Sequence, residues 1–387
     1  MRKLNIKSKV AYFSLYCPKY REGVFSILAK NEQFEFFVYS AENFDGGFQI
    51  SNKNEVDFNL IYTNVKIFKI PILKKKLFFI PDVIKSIIKK DYSVIILPNR
   101  MTELHIWLAL ILCKLFSVRL ILWGHGNFRK KNSFVEKIRT FIMRVSDANI
   151  FYIEETAEYY SKIGLPSHKL FVAYNSIDTN KINYITENKI SGIVDDKYEL
   201  KKDKIILFIG RLVERKRLDI LLYAFSEFLK LKKDKDWKLV FIGDGPEISN
   251  LKILSNQLKI ITNVVFVGTV TDEEIIASFM QKVAFGVIPS VAGLMVNHFF
   301  SYGIPLIIGD NFETHPPEAN LVIDGKTGLY FKDNNVNDLV IKMYLLSSDE
   351  NLRQQLAVNA KKIIDRKYNV NKMAEGISSA ILQIINI

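Results

Sequence analysis

The most constraining feature of this sequence is a regular alternation of short apolar runs with amphipathic stretches. From Lys204 onward the runs are KIILFIG, KLVFIG, VVFVG, VAFGVIPS and PLIIGD. Between the first two, apolar residues recur at the three-and-four spacing of one helix face, at Leu218, Leu221, Leu222, Phe225, Phe228 and Leu229. Runs that are apolar on both faces are typical of strands buried in a parallel sheet, and the alternation predicts right-handed crossovers. We therefore predict a doubly wound, Rossmann-like α/β domain over residues 204–365.

The first half of the chain repeats the pattern, with apolar runs VAYFSL, FEFFVYS, SVIILP, RLILWG, NIFYI and LFVA. We predict a second Rossmann-like domain over residues 1–185 and a polar linker over residues 186–203. A length of 387 residues suits two such domains. Two doubly wound domains would place the carboxyl ends of two sheets across a cleft, where such folds bind ligands. Residues 366–387 have a helix pattern that follows the last predicted strand.

Charge is distributed unevenly along the chain. The net charge is +13, and residues 1–180 carry 27 Lys and Arg against 16 Asp and Glu. An excess confined to one half predicts an anionic partner for that half. The longest apolar run, residues 105–123, is interrupted by Lys114 and Arg119, so we predict no transmembrane helix, and we expect no signal peptide. Cys17 and Cys113 are the only cysteines, which favours a reducing, cytoplasmic location.

The stretch GRLVERKRLDILLYAF joins the first predicted strand of the second domain to its helix. Gly210 allows a sharp turn, and the helix is predicted to begin near Lys216. A helix N-terminus carries unpaired N–H groups and a partial positive charge, so it stabilises a phosphate, and Arg211 and Lys216 would add cations. The alternative is a solvated loop. We expect Arg215 and Arg217 to face solvent.

Four motifs in order resemble the C-terminal domain of glycosyltransferase family 4, the group 1 glycosyltransferases of GT-B fold. They are GRLVERKRLDILLYAF, FIGDGPE, VGTVTDEEI, and SYGIPLI followed by PEANLVIDGKTGLYF. The resemblance implies that Arg211 and Lys216 hold the diphosphate of a nucleotide sugar. The donor-binding residues that it implies in this domain are Gly210, Gly243, Gly268, Ser290, Gly293, Leu294, His298 and Glu318. A structural role for Glu318 is the alternative.

The first half carries further marks of the resemblance. SLYCPKYREGVFSIL is similar to a donor-side loop of some family members, which implies donor contacts for Tyr20, Arg21 and Gly23. In LILWGHGN, His125 follows the end of a predicted strand and matches a histidine close to the transferred sugar, which implies a catalytic role beside Arg211 and Lys216. A structural histidine is the alternative. The family also implies that the helix of residues 366–387 crosses back to the first domain.

One departure from the family concerns two glutamates that precede its Gly-x-Pro turn. At those positions this chain has Ser290 and His298. The stretch VAGLMVNHFF resembles a subset with glycine, leucine and then histidine. Loss of both carboxylates is compatible with a different donor, with another way of holding the ribose, or with absence of catalysis.

The histidines and carboxylates show no metal-binding spacing, and no DxD-like acidic pair stands out. This absence favours a metal-independent transfer that needs no cofactor. The resemblance implies a retaining glycosyltransferase of hexosyltransferase type, with a nucleotide sugar as donor substrate and a glycan or lipid-linked acceptor. From the charge we infer a precursor of a surface polysaccharide, such as lipopolysaccharide or capsule. Two alternatives stay open: a non-catalytic nucleotide-sugar-binding subunit, and a nucleotide-sugar epimerase or hydrolase of the same fold.

The basic excess concentrates in two stretches, LKKKLFFIPDVIKSIIKK and FRKKNSFVEKIRTFIMR, which interleave cations with large apolar residues. If these stretches are helical, they present a basic amphipathic face suited to an anionic membrane surface. The alternative is a solvated basic helix whose apolar face is core. No nucleic-acid motif is present, so we do not expect nucleic acid as a partner. The predicted location is cytoplasmic, or peripheral at the inner face of the cell membrane.

Overall fold

The computed structural model of the protein describes residues 7–44, 49–70, 75–126, 134–188, 198 and 200–386. The chain forms two compact units, one comprising Met1–Asp178 with Val370–Ile387 and the other Thr179–Asn369. Each unit is built around its own parallel sheet. The predicted α/β class with two doubly wound parallel sheets is confirmed.

The strands of the first unit include all six of the predicted apolar runs. They are β1 (Ser8–Phe13), β2 (Phe34–Ser40), β3 (Asn59–Tyr62), β4 (Lys66–Ile70), β5 (Lys75–Phe79), β6 (Val94–Pro98), β7 (Arg119–Trp123), β8 (Ala148–Phe151) and β9 (Leu170–Val172). Seven of them form one parallel sheet in the order β3-β2-β1-β6-β7-β8-β9. The chain builds outward from β1 in one direction and from β6 in the other, which is the doubly wound arrangement.

Helices cover both faces of this sheet. They are α1 (Glu22–Ala29), α2 (Pro81–Lys89), α3 (Leu104–Phe116), α4 (Phe134–Val145) and α5 (Glu154–Lys162). Apolar residues of α2, α3, α4 and α5 join a core on one face, whereas α1 packs on the other. Right-handed crossovers between neighbouring parallel strands produce this division.

The second unit has a sheet of six described strands, five of them at the predicted apolar runs. They are β10 (Ile205–Ile209), β11 (Lys238–Ile242), β12 (Val264–Gly268), β13 (Val283–Ile288), β14 (Leu306–Gly309) and β15 (Gly328–Phe331). The strands are parallel, in the order β12-β11-β10-β13-β14-β15. The helices are α6 (Thr179–Glu187), α7 (Leu218–Leu231), α8 (Ile248–Gln257), α9 (Glu273–Met280), α10 (Met295–Ser301), α11 (Val336–Ser348) and α12 (Glu350–Arg366).

The last helix, α13 (Val370–Ile385), returns to the first unit. Its buried side chains, including Met373, Ile377 and Ile381, join the core that α1 also covers. Gly376 allows the close approach, because a Cβ there would lie 2.2 Å from the carbonyl oxygen of Val172. The C-terminal helix therefore completes one face of the first sheet, as the family resemblance implies.

The division between the units differs from the predicted limits of residues 185 and 203. Helix α6 belongs to the second unit, where Ile182 and Ile185 are buried and the helix contacts α9 and α10. Most of the predicted linker lies outside the described residues, but Leu200 is buried in the core of the second unit. Burial of these apolar side chains draws both ends of the predicted linker onto the second unit.

The first predicted basic stretch is only partly helical. Residues 73 and 74 lie outside the described residues, Lys75–Phe79 is strand β5, and only Pro81–Lys89 is helical. β5 pairs with β4 in an antiparallel hairpin, with Ile67 opposite Phe78. In the second basic stretch, residues 128–133 lie outside the described residues and α4 carries the remainder. The two strands pair because the backbone groups of β4 form hydrogen bonds with those of β5. The residue pattern of the basic stretch alone does not predict this partner.

Candidate active site

The strand order of the second sheet reverses between β10 and β13. These strands are parallel neighbours, with Leu207 opposite Gly286, and the remaining strands follow outward on either side. In open α/β sheets, ligands bind beyond the carboxyl ends of the strands at such a point. The loops after Ile209 and Ile288 are therefore the candidate ligand loops of this unit.

The loop after β10 begins with a glycine turn that packs against the next one. Gly210 and Gly243 have φ of +141° and +136°. A Cβ at Gly243 would lie 2.0 Å from the carbonyl oxygen of Gly210, so only glycine fits there. The N–H of Gly243 donates to the carbonyl of Gly268 at 2.8 Å. The three glycines thus lie together at the carboxyl ends of β10, β11 and β12.

Lys216 connects the two ligand loops. It lies in a short 3-10 turn, Glu214–Lys216, just before α7, which begins at Leu218 rather than near Lys216 as predicted. Its Nζ donates to the carbonyl oxygen of Val291 at 2.6 Å. Burial, and secondarily the charge of Arg215, lowers the pKa of Lys216 to about 8. Lys216 is therefore a partly buried cation at the point where the strand order reverses.

The other cations of this segment differ in their surroundings. Arg211 and Arg215 are exposed. Arg217, expected to face solvent, is only partly exposed, because its guanidinium donates to both carboxylate oxygens of Asp219 at 3.2 Å and to the side chain of Asn334. Arg217 is thus held at the start of α7, whereas Arg211 is exposed to solvent.

The loop after β13 has a strained backbone held by a histidine. Val291 has φ of +55°, a conformation that a β-branched residue rarely adopts. The N–H of Ala292 donates to Nδ1 of His315 at 2.8 Å, and Nε2 of His315 is 2.9 Å from the carbonyl oxygen of Gly309. His315 is therefore the neutral tautomer with its proton on Nε2. Sequence reasoning assigned no role to His315, because its contact with Ala292 forms only when the loops after β13 and β14 pack together.

Of the remaining predicted residues of this unit, Ser290 and Glu318 are buried, whereas Gly293 and Leu294 are partly buried. Ser290 lies in the loop after β13, with its hydroxyl 3.4 Å from that of Thr314. Gly293 faces Pro316, and Leu294 is the residue before α10. Glu318 is 2% exposed in the turn Pro317–Leu321. The structure thus brings Ser290, Gly293 and Leu294 into the same loop as the carbonyl that Lys216 contacts.

His298 lies in α10 and contacts a carboxylate from another helix. Its Nε2 is 2.6 Å from Oε1 of Glu273 in α9, and the hydroxyl of Tyr302 donates to the same oxygen at 2.7 Å. Burial pushes the pKa of Glu273 upward, but the His298 ring and these two hydrogen bonds outweigh it, so the pKa is lowered. Position 298 lacks the family's glutamate, yet a carboxylate lies beside it, and sequence reasoning missed Glu273.

In the first unit, Arg21 is enclosed by aromatic side chains. Its guanidinium carbon lies 5.1 Å from the ring centroid of Trp123 and 5.3 Å from that of Tyr152. It donates to Oδ1 of Asn175 at 2.7 Å and to the Tyr152 hydroxyl at 3.2 Å. Arg21 is 6% exposed, so its guanidinium serves mainly to hold protein groups together.

The other predicted residues of this unit lie near the same cluster. The Tyr20 ring is 5.4 Å from the Arg21 guanidinium, and burial raises the Tyr20 pKa. His125 is exposed and contacts Tyr152 edge to face at 4.5 Å. A Cβ at Gly23, in the first turn of α1, would lie 2.6 Å from the carboxyl carbon of Asp178. Tyr20, Arg21 and His125 are thus brought together, and the carboxylate of Asp178 packs directly against Gly23.

No group of three or more His, Cys, Asp or Glu side chains within the described ranges could hold a metal ion. Within those same ranges, no helix is both long and apolar enough to cross a membrane.

The chain is similar to known proteins in both sequence and structure. The family "Glycosyl transferases group 1" matches residues 193–363. An uncharacterised glycosyltransferase of Haemophilus influenzae is 24% identical over 78% of this chain and 80% of its own length. The alpha-monoglucosyldiacylglycerol synthase of Streptococcus pneumoniae is 29% identical over 38% of this chain and 33% of its own length. The chain spans about half the length of several other curated relatives that it matches.

Among solved structures, Anabaena HepE in complex with UDP superimposes with a TM-score of 0.70. It is 15% identical, and the match covers 97% of this chain and 99% of that one. This likeness concerns the fold of both units, whereas the family match over residues 193–363 lies in the second unit, which carries the loops after β10 and β13. Residues 193–363 therefore match the group 1 glycosyltransferases, and the chain has the GT-B fold of its solved neighbours.

Proposed function

We propose that the protein is a retaining, metal-independent hexosyltransferase that uses a nucleotide diphosphate sugar. The proposed acceptor is a lipid-linked or membrane-associated precursor of a surface polysaccharide, such as lipopolysaccharide or capsule. The basic first unit would associate with an anionic membrane surface. Lys216 and Arg211 bind the diphosphate, and His125 contacts the transferred sugar or the acceptor.

One observation carries the proposal, namely the partly buried cation Lys216 at the reversal of strand order. Among the described residues no carboxylate forms an ion pair with its ammonium, whose partner is the Val291 carbonyl. A buried charge without a counter-ion is unfavourable, and here the lowered pKa reflects that cost. A diphosphate bound at this point would supply the missing negative charge. The start of α7 beside it adds backbone N–H groups and the positive end of the helix dipole.

Chemically, these groups act on the leaving group. As the bond from the anomeric carbon to the diphosphate oxygen breaks, negative charge accumulates on the diphosphate. Each charge-assisted hydrogen bond contributes about 1.5 to 3 kcal/mol. Two such bonds that strengthen in the transition state would therefore accelerate transfer by roughly two to four powers of ten. The cations and helix terminus thus take the part that a metal ion plays in other transferases.

The names of similar proteins support the choice of substrates. The solved neighbour HepE is recorded with UDP and with UDP-glucose, so uridine diphosphate sugars are the first donors to test. The S. pneumoniae relative is named for a diacylglycerol product, which supports a lipid acceptor. The excess of Lys and Arg in residues 1–180 supports an anionic membrane surface.

The test measures nucleoside diphosphate release from UDP-, GDP- and ADP-linked sugars, with and without membrane extract. The wild type is compared with Lys216→Ala and with Lys230→Ala, a control at an exposed lysine of α7. We expect acceptor-dependent release with one donor class, a loss of at least a hundredfold in Lys216→Ala, and no change in the control. The anomeric configuration of the product, determined by NMR, tests retention.

The alternatives give different results in this assay. Release that needs no acceptor would indicate an epimerase or hydrolase. Donor binding in a thermal-shift screen without turnover in the presence of any extract would indicate a non-catalytic subunit. Equal rates in wild type and Lys216→Ala would refute the role of Lys216.

A further inference from the structure

The side of α3 that faces away from the core is apolar. Ile106, Ala109, Leu110 and Cys113 pack into the first unit. The opposite side exposes Leu108, Ile111 and Leu115, the last two being 61% and 72% exposed. Their spacing places them in one row on the helix surface. A contiguous exposed row of this kind is unusual on a monomeric soluble protein and indicates an interaction surface.

The outer side of α4 also exposes large apolar side chains, and it carries positive charge as well. Phe134 and Phe141 are 76% and 63% exposed. Lys137 and Arg144 are exposed on the same helix. Its one carboxylate, Glu136, is buried, where it accepts hydrogen bonds from Arg139 and Tyr160. The exposed charges of α4 are therefore all positive.

Both helices cover the same face of the first sheet. α3 connects β6 to β7 and α4 connects β7 to β8, and the buried residues of both helices belong to one core. Their outer sides therefore belong to one surface. We call this surface the outer helical face, and it consists of Leu108, Ile111, Leu115, Phe134, Val135, Phe141, Lys137 and Arg144.

A pocket opens on the outer helical face where α4 meets α5. It has a volume of about 290 Å³, and its lining consists of Lys137, Thr140, Phe141, Arg144, Tyr159, Ile163 and Glu136. The Glu136 carboxylate accepts hydrogen bonds from Arg139 and Tyr160. Lys137 and Arg144 lie about two helical turns apart on α4, beside aromatic and aliphatic side chains. Such cations suit a phosphate that carries an apolar chain. That combination is the chemistry of an anionic lipid headgroup and its acyl region.

We propose that the outer helical face docks on an anionic lipid bilayer and that this pocket receives a phosphate headgroup. The inference deepens the proposed function, on which it rests for the presence of a membrane acceptor. A second copy of the chain, seated by a two-fold axis, would place cations against cations, because neither α3 nor α4 exposes a carboxylate. A nucleic acid would gain nothing from the row of exposed leucine and isoleucine side chains.

The test is co-sedimentation with vesicles, in the absence of donor and acceptor. Vesicles of pure phosphatidylcholine are compared with vesicles of equal parts phosphatidylcholine and phosphatidylglycerol. One variant combines Ile111→Ser, Leu115→Ser and Phe141→Ser, and another combines Lys137→Glu and Arg144→Glu. The matched control replaces exposed apolar residues of the second unit, Ile253→Ser and Val358→Ser, which are 56% and 67% exposed.

We expect binding to the anionic vesicles only, at least tenfold weaker binding for both variants, and unchanged binding for the control. Salt at about 1 M, where the Debye length is about 3 Å, should weaken wild-type binding by a similar factor. Thermal unfolding midpoints equal to wild type establish that the variants fold. Wild-type binding by the apolar variant, or equal binding to both vesicle types, overturns the proposal.

A dimer in solution that the apolar variant dissociates also overturns it, in favour of a second copy of the chain. Because no sugar donor is present, a failed transferase assay leaves this result unaffected. Conversely, absence of vesicle binding leaves the donor assay unaffected.

Discussion

Lys216 allows a quantitative test, because burial of its ammonium should cost stability. Its pKa falls from 10.5 to about 8, first through burial and then through the charge of Arg215. One pKa unit corresponds to about 1.4 kcal/mol, so a shift of this size disfavours the charged folded state by roughly 3 kcal/mol. At pH 7 the side chain is still mostly protonated, and the full cost is present.

Replacement of Lys216 by Met removes the charge and keeps the apolar length of the side chain. The variant also loses the hydrogen bond to the Val291 carbonyl, which costs about 1 kcal/mol. We therefore expect Lys216→Met to be more stable than wild type by about 2 kcal/mol at pH 7, with donor turnover lost. Between pH 8 and pH 10.5 the folded wild type has released a proton that the unfolded chain retains. Wild-type stability rises over this window, and the advantage of the variant shrinks.

The assay is urea unfolding of wild type, Lys216→Met and the exposed control Lys230→Met from pH 6 to pH 10. Wild-type kcat/KM should decline above about pH 8, as the free enzyme loses this proton, whereas Lys216→Arg, if active, should not show that decline. The reasoning is refuted if Lys216→Met is no more stable than wild type at pH 7. It is also refuted if the stability difference does not depend on pH.

Three further predictions concern other parts of the chain. Glu273→Gln should lower the free energy of unfolding at pH 7 by about 1 to 3 kcal/mol, because it weakens the contact with His298. In acid unfolding, this difference from wild type should vanish as the pH falls through the lowered pKa of Glu273. Gly376→Ala should destabilise the first unit by about 1 to 3 kcal/mol despite its better helix propensity, because the new methyl group meets the Val172 carbonyl; urea unfolding tests this. Arg21→Lys should lower the free energy of unfolding by about 1 to 3 kcal/mol, because one ammonium cannot replace the hydrogen bonds of the guanidinium; a lower thermal midpoint would show this.

How much of the fold could be predicted from the sequence depends on how far apart along the chain the interacting residues lie. Strands such as Ile205–Ile209 were predictable because burial on both faces leaves a local apolar run. Strand β4 was not, because Lys66, Ile67 and Phe68 are all exposed and show no alternation between a buried and a solvent face. The proximity of Glu273 to His298 was hidden for another reason, since the two residues lie on different helices and meet only when α9 and α10 pack.

The functional assignments divide in the same way. Gly210 and Lys216 follow one strand in sequence, so their place at its carboxyl end could be predicted from the strand alone. The contact of Lys216 with Val291, and the strained φ of that valine, depend on two strands becoming neighbours in the sheet. The roles of Tyr20, Arg21 and His125 in donor binding or catalysis stay predictions.

The return of α13 to the first unit has a consequence for biosynthesis. Residues 8–178 leave the ribosome first, but the sheet face that Met373, Ile377 and Ile381 cover stays open until the chain beyond Val370 has been made. The second unit, whose residues are contiguous, can fold in the meantime. The first unit to be translated is thus the second to be completed, and a nascent chain stalled before Val370 would expose an apolar sheet face to chaperones.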